Sequence, residues 1–135
     1  MKRNFGVNSE ISLFLDGSNF DLHSEYKLKS MCWNAGESSL GFNWVAQAEG
    51  KRQWLKLVFD GILLLDIIGI DMDVPRKEDV ALDFLGFLHP EDRNVMSGFL
   101  PEKMATPEHH FILKFLGGLT VKVFAREAVL SCGET

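Results

Sequence analysis

Between recurring turn signals, apolar and polar residues alternate with a period of two, the spacing of strands that bury one face. Leu22, Tyr26, Leu28 and Cys32 share one parity, and His23, Glu25, Lys27 and Lys29 share the other. This predicts a half-buried strand from Leu22 to Cys32. Asn34-Ala35-Gly36 turns the chain, and Leu40, Phe42, Trp44 and Ala46 face Asn43 and Gln47 in a second strand. Ala48-Glu49-Gly50-Lys51 reads as a hairpin turn, and Gln53 to Phe59 follows with Leu55, Leu57 and Phe59 on one face.

Asp60-Gly61 then admits two readings: a two-residue hairpin turn, or a bulge within one long strand that runs on through Ile62-Leu63-Leu64-Leu65-Asp66-Ile67-Ile68. That second run has no alternation, which predicts a central strand buried on both faces. Around Pro75 the pattern breaks, and a short helix capped by Asp73 fits there, with Glu78 and Asp79 in its first turn. Leu82, Phe84 and Leu88 alternate with Asp83 and read as a strand; Leu82, Leu85 and Leu88 also fit a helix from Val80 to Leu88, which Gly86 and Asp83 disfavour. From His89 to His109 the chain is irregular, punctuated by Pro90, Gly98, Pro101 and Pro107.

Phe111, Leu113 and Phe115 alternate with Lys114, Gly117-Gly118 turns, and Leu119, Val121, Val123 and Ala125 answer with Thr120 and Lys122 outside. That is a β-hairpin, continued or frayed through Ala128 to Cys132. The whole predicts a mainly β chain with at most one short helix. Six to eight strands joined by short turns point to an antiparallel sandwich or incomplete barrel. A chain of 135 residues has the length of one domain, and residues 1–135 are read as such.

Composition sharpens this picture only slightly. Eleven Phe against one Tyr favour a packed core over a wet aromatic surface. The formal net charge of −5 makes phosphate backbones poor partners, so nucleic acid is excluded. From Asp71 to Glu108 there are nine acidic and four basic residues, a balance equal to the net charge of the whole chain. A solvated stretch is the ordinary meaning of such a run. Its sharper meaning is an acidic face for a basic protein partner, with Asp71, Asp73, Glu78 and Asp79 as its core. No run nears the ~20 apolar residues of a membrane span, and the N-terminal apolar stretch is too short for a signal peptide. A cytoplasmic protein is expected, with Cys32 and Cys132 as free thiols.

Candidate chemistry is thin. His23 lies on a polar strand face, where an exposed ring without a task is expected. His109 and His110 are adjacent at a strand entrance and point to opposite faces, so at most one serves a given site. No ligand spacing supports a metal, and no phosphate, dinucleotide or nucleophile-elbow motif is present, so no cofactor is expected. Asp66, Asp71 and Asp73 resemble a carboxylate cluster but fit turn and capping chemistry better. Asp16 to Asp21 opens like a calcium loop, lacks its later ligands, and reads as a turn. Trp33, Trp44 and Trp54 fall on three successive predicted strands, as a platform or as a plug. Trp33 has the parity of the polar residues, which makes it the candidate exposed anchor.

Two stretches taken together, Trp54-Leu55-Lys56-Leu57-Val58-Phe59-Asp60-Gly61-Ile62 with Leu65-Asp66-Ile67, and Phe111 to Leu130, resemble small bacterial β-rich proteins of unassigned function. Some of these are immunity proteins encoded beside secreted toxins. The resemblance implies a non-enzymatic partner binder and assigns no residue a role. The leading expectation is therefore an immunity-type inhibitor that occludes a basic toxin domain. The alternative is a small-molecule-binding barrel, or a small hydrolase using Asp66, Asp71 or His110.

Overall fold

The hairpin across Gly117-Gly118 forms as its pattern dictates and becomes the centre of the structure, a computed structural model that describes residues 1–47, 49–69, 81–91 and 100–134. Its strands are β9 (His110–Phe115) and β10 (Thr120–Gly133), paired antiparallel with Val121 opposite Leu113 and Val123 opposite Phe111. Phe111, Leu113, Phe115, Val121 and Val123 are all fully buried.

Around this hairpin a single curled sheet assembles. Preceding it in the chain are β1 (Lys2–Arg3), β5 (Tyr26–Asn34), β6 (Ser39–Ala46), β7 (Trp54–Ile68) and β8 (Leu82–Leu88). The strand order is β5-β6-β7-β10-β9-β8, antiparallel throughout, with β1 added parallel to β10. Asn4 extends that last pairing with its side chain, donating from Nδ2 to the Leu130 carbonyl at 2.9 Å and accepting the Leu130 N–H at 2.8 Å. The antiparallel half-barrel expected from the alternation is therefore present.

The N-terminal segment forms a second layer that the alternation did not announce. Here β2 (Gly6–Ser9), β3 (Ser12–Leu15) and β4 (Ser18–Asp21) make a three-stranded antiparallel sheet. The segment read as one turn from Asp16 to Asp21 is thus a turn at Asp16-Gly17 followed by a strand. Four-residue strands carry too few alternations to stand out from a turn. Phe5, Leu13, Phe20 and Leu22 from this segment join the main core with Phe42, Trp44, Phe59 and Phe111. The layer is also tied by hydrogen bonds: the Leu85 N–H donates to the Glu10 carbonyl at 2.6 Å, and His23 Nδ1 to the Leu82 carbonyl at 2.5 Å. His23 is exposed as expected but does have a task, since a carbonyl only accepts and the ring must donate.

Two irregularities correct the sequence reading, and a third decides between its alternatives. First, the strand expected from Leu22 starts at Tyr26, because Leu22 belongs to the second layer, where its N–H donates to the Ile11 carbonyl. Second, β5 carries a bulge at Lys29: Leu28 faces Trp44, yet Ser30 faces Asn43. One extra residue exchanges the two faces of everything that follows. Met31 and Trp33 thereby turn to the inner face opposite Phe42 and Leu40, while Cys32, expected inside, is exposed.

Third, Asp60-Gly61 is a distortion within one long strand and not a hairpin. Gly61 has φ 66, a left-handed conformation open to glycine at little cost. Beyond it, Ile62 faces Ala125 and Leu64 faces Phe124, leaving Leu63 as the extra residue of a bulge. The 15-residue β7 therefore outruns its neighbour β6, whose pairing ends where Leu40 meets Phe59.

Both cysteines are free thiols, Cys32 exposed and Cys132 half-buried against the core. Titrating the denatured, unreduced protein should count two thiols per chain. In the native protein Cys32 should react first and Cys132 more slowly. A count of zero, or the reverse order, would contradict this placement.

Candidate partner-binding site

The run from Ile62 to Ile68 is expected to be central and buried on both faces; β7 is an inner strand of the sheet, but this part of it is not buried. Leu63, Leu64, Ile67 and Ile68 are 61%, 36%, 42% and 52% exposed. The cause is the overhang. β6 covers the edge of β7 only as far as Phe59, and the Asn34–Ser39 turn closes on it once more, where the Ile62 N–H donates to the Ser38 carbonyl at 3.0 Å. From Leu63 to Ile68 the strand pairs with β10 alone among the described residues. Burial on both faces occurs instead at β8 and β9, where Leu88 and Ile112 are buried on the face opposite the main core.

The overhanging end is held from below. Gly69, at φ 82, lies so close to the Gly118 backbone that an added Cβ would sit 2.3 Å from its carbonyl oxygen. Thr120 Oγ1 donates to the same oxygen at 3.1 Å. The β9–β10 turn thus clamps the far end of β7 and keeps the strip extended.

Trp33 is 50% exposed, as an anchor should be, although the bulge at Lys29 sets it on the inner face. It stands in one cross-strand row with Leu40 and Phe59, at the end of the sheet where the overhang begins. The other two indoles do not join it. Trp44 is buried and stacked on Phe42 at 5.7 Å, and Trp54 lies on the opposite face against Gly133. The three tryptophans form no platform.

Asp71, Asp73, Glu78 and Asp79, together with the helix expected at Pro75, lie outside the described residues. In the chain they follow directly on the exposed strip. Of the remaining acids of that stretch, Glu102 is turned inward: its carboxylate accepts the Val7 N–H and faces the Arg3 guanidinium at 3.4 Å. Asp83 lies 4.0 Å from Lys114. These two serve the fold.

The exposed carboxylates around the strip form no ion pair among the described residues, although Asp66 stands opposite Lys122 and Glu127 opposite Lys2 in the sheet register. Asp60 and Glu127 face one another directly across β7 and β10, also without an ion pair. Like charges in register oppose pairing, so this arrangement is tolerated by the sheet and not favoured by it.

The alternative chemistry finds little to stand on. His110 is 6% exposed, its ring set 5.1 Å from that of Phe124, and Nδ1 has no hydrogen-bond partner. Asp66 lies two strands away across β10, roughly 10 Å at the usual strand spacing, too far for direct proton transfer. His109 and His89 lie with ring centroids 5.7 Å apart. Nδ1 of each accepts a backbone N–H, from Thr106 at 2.8 Å and from Glu91 at 3.2 Å, so the neutral rings carry their protons on Nε2. In that tautomer neither ring offers a lone pair to a metal. A cleft of about 400 Å³ opens between β2, β8 and Leu100–Glu102, and the Glu102 carboxylate in its wall is already engaged.

Burial, and then the Lys122 ammonium, hold the His110 imidazole below its ordinary pKa of 6.5. The unfolded chain therefore takes up a proton more readily than the native one, and stability falls as pH drops below about 6.5 toward the depressed native value. In denaturant titrations between pH 7.5 and 5.5, His110→Gln should remove part of the acid-induced loss. Equal losses in both proteins would show that His110 is not buried as described.

Among the described residues no helix is long and apolar enough to cross a membrane. No family model, no curated protein and no solved structure matches this chain.

Proposed function

We propose that the chain is a non-enzymatic, cytoplasmic binding protein that occludes a basic partner, in the manner of an immunity-type inhibitor set against a toxin domain. The exposed strip of Leu63, Leu64, Ile67 and Ile68 carries this reading. A folded chain that leaves four large aliphatic residues in water along six positions has a surface suited to a partner. Trp33 at the same end of the sheet supplies an aromatic anchor of the kind that dominates binding energy. The acidic stretch that follows β7, within a chain of net charge −5, favours a basic partner and speeds its encounter.

The reading is tested with the basic product of a gene adjacent to the one encoding this chain, by stopped-flow association. Trp33→Ala should weaken the complex by about 2 kcal/mol, mostly through faster dissociation. Glu78→Lys together with Asp79→Lys should slow association roughly tenfold at low salt and leave dissociation nearly unchanged. If no adjacent gene product binds, or if neither change alters the kinetics, the occlusion reading fails.

A further inference from the structure

We infer that the free edge of β7 from Leu63 to Ile68 accepts an extended segment of another protein as an added strand, and that the segment it takes alternates apolar with basic side chains. The inference deepens the binding reading above by naming the mode and the class of segment.

The backbone argues for strand addition over simple apolar contact. Six residues span about 20 Å at the rise of an extended strand, a typical length for one added strand. One edge of this stretch pairs with β10, and among the described residues no strand lies on the other. A strand paired on one side leaves alternate N–H and C=O groups pointing outward along the open side. The clamp at Gly69 and the hydrogen bond at Ile62 fix both ends, so little order is lost when a partner docks.

Side chains argue for the occupant. Leu64, Asp66 and Ile68 lie on the outer face in register with Phe124 and with the buried Lys122 and Thr120, and Ile67 shares the inner face with Val121. An incoming strand thus meets apolar neighbours on both faces and, at the centre of the outer face, the Asp66 carboxylate, which has Lys122 across from it on β10 and an open side toward the incoming strand. Asp60 and Glu127 add two further carboxylates beside the strip. A lysine or arginine opposite Asp66 would complete a cross-strand ion pair, whereas a glutamate there would be repelled.

The same charges argue against a second copy of this chain. Antiparallel self-pairing that overlaps the four aliphatic residues brings Asp66 within about two positions of its own copy, between partners that each carry net charge −5. A charge placed on an exposed edge is a common guard against edge-to-edge association. Asp66 both blocks self-pairing and selects a basic strand.

The test uses three capped nine-residue peptides: one alternating valine and lysine, one alternating valine and glutamate, and the lysine peptide with alternate backbone nitrogens methylated. The lysine peptide should bind at least tenfold more tightly than the glutamate peptide and should slow amide exchange at residues 63–68. Backbone methylation should abolish binding, because it removes the hydrogen bonds that define an added strand. Asp66→Lys should invert the preference between the charged peptides by at least tenfold, while the far-ultraviolet dichroism stays that of the unmodified protein.

Four results would overturn the inference. They are equal binding of all three peptides, lysine-peptide binding that leaves exchange at 63–68 unchanged, no binding of the lysine peptide, and wild-type dimers that Asp66→Asn does not strengthen. Peptide binding without any toxin-like partner would leave strand addition standing and sink the occlusion reading. A genuine partner bound without protection of 63–68 would do the reverse.

Discussion

Phe111→Ala should destabilise the protein by about 3–5 kcal/mol, near the upper end for a core truncation. Phe111 sits at the crossing of three ring contacts, with Phe5 at 6.2 Å, Phe59 at 5.6 Å and Phe87 at 5.4 Å. Those rings come from the segment after β1, from β7 and from β8. One truncation therefore loosens the second layer and both halves of the sheet together. Neighbours held by three separate backbones cannot all move inward, so the cavity stays largely open and the penalty stays high. Urea denaturation should show a lower midpoint with an unchanged slope. A loss under 1.5 kcal/mol would mean that the layers do not meet at this ring.

Gly69→Ala is the second large effect, and Gly50→Ala is its control. The two glycines have nearly the same backbone, φ 82 and φ 83, so both substitutions strain the chain alike. Nothing lies within 4 Å of a Cβ at Gly50, whereas at Gly69 the Gly118 carbonyl oxygen is 2.3 Å away. Gly50→Ala should then cost about 1 kcal/mol, the left-handed strain alone. Gly69→Ala should cost roughly 3 kcal/mol, because backbone must also move to admit the methyl group. It should also release the end of β7. Equal costs at the two sites would remove the clamp from the account.

What the sequence revealed and what it hid have physical reasons that differ residue by residue. The β9–β10 hairpin was legible because strict alternation on both sides of Gly117-Gly118 leaves one register that buries every apolar residue. Trp33 and Cys32 were misassigned to faces because the parity rule assumes an unbroken strand. Lys29 is the inserted residue, and nothing about a lysine between Leu28 and Ser30 marks a bulge. The second layer escaped notice because its three strands are four residues each.

The error at Ile62 to Ile68 was the most informative. A run without alternation is apolar on both faces, and the usual way to satisfy such a run is to bury it. Exposure came instead from a length mismatch, since the turn between β5 and β6 comes too early to flank β7 to its end. Nothing in the run itself carries that signal. It would have taken the pairing register of Leu40 with Phe59 to see it. Asp66, the single charge within the run, was the one local hint that water reaches this strand.

Amide hydrogen exchange of the unliganded protein from Leu63 to Ile68 tests the open edge most directly. With one side paired to β10 and the other open, slow and fast amides should alternate along these six positions, the slow ones bonded to β10 and the fast ones facing the free edge. Uniformly slow exchange would mean that the edge is already covered in the free protein, and it would contradict the account.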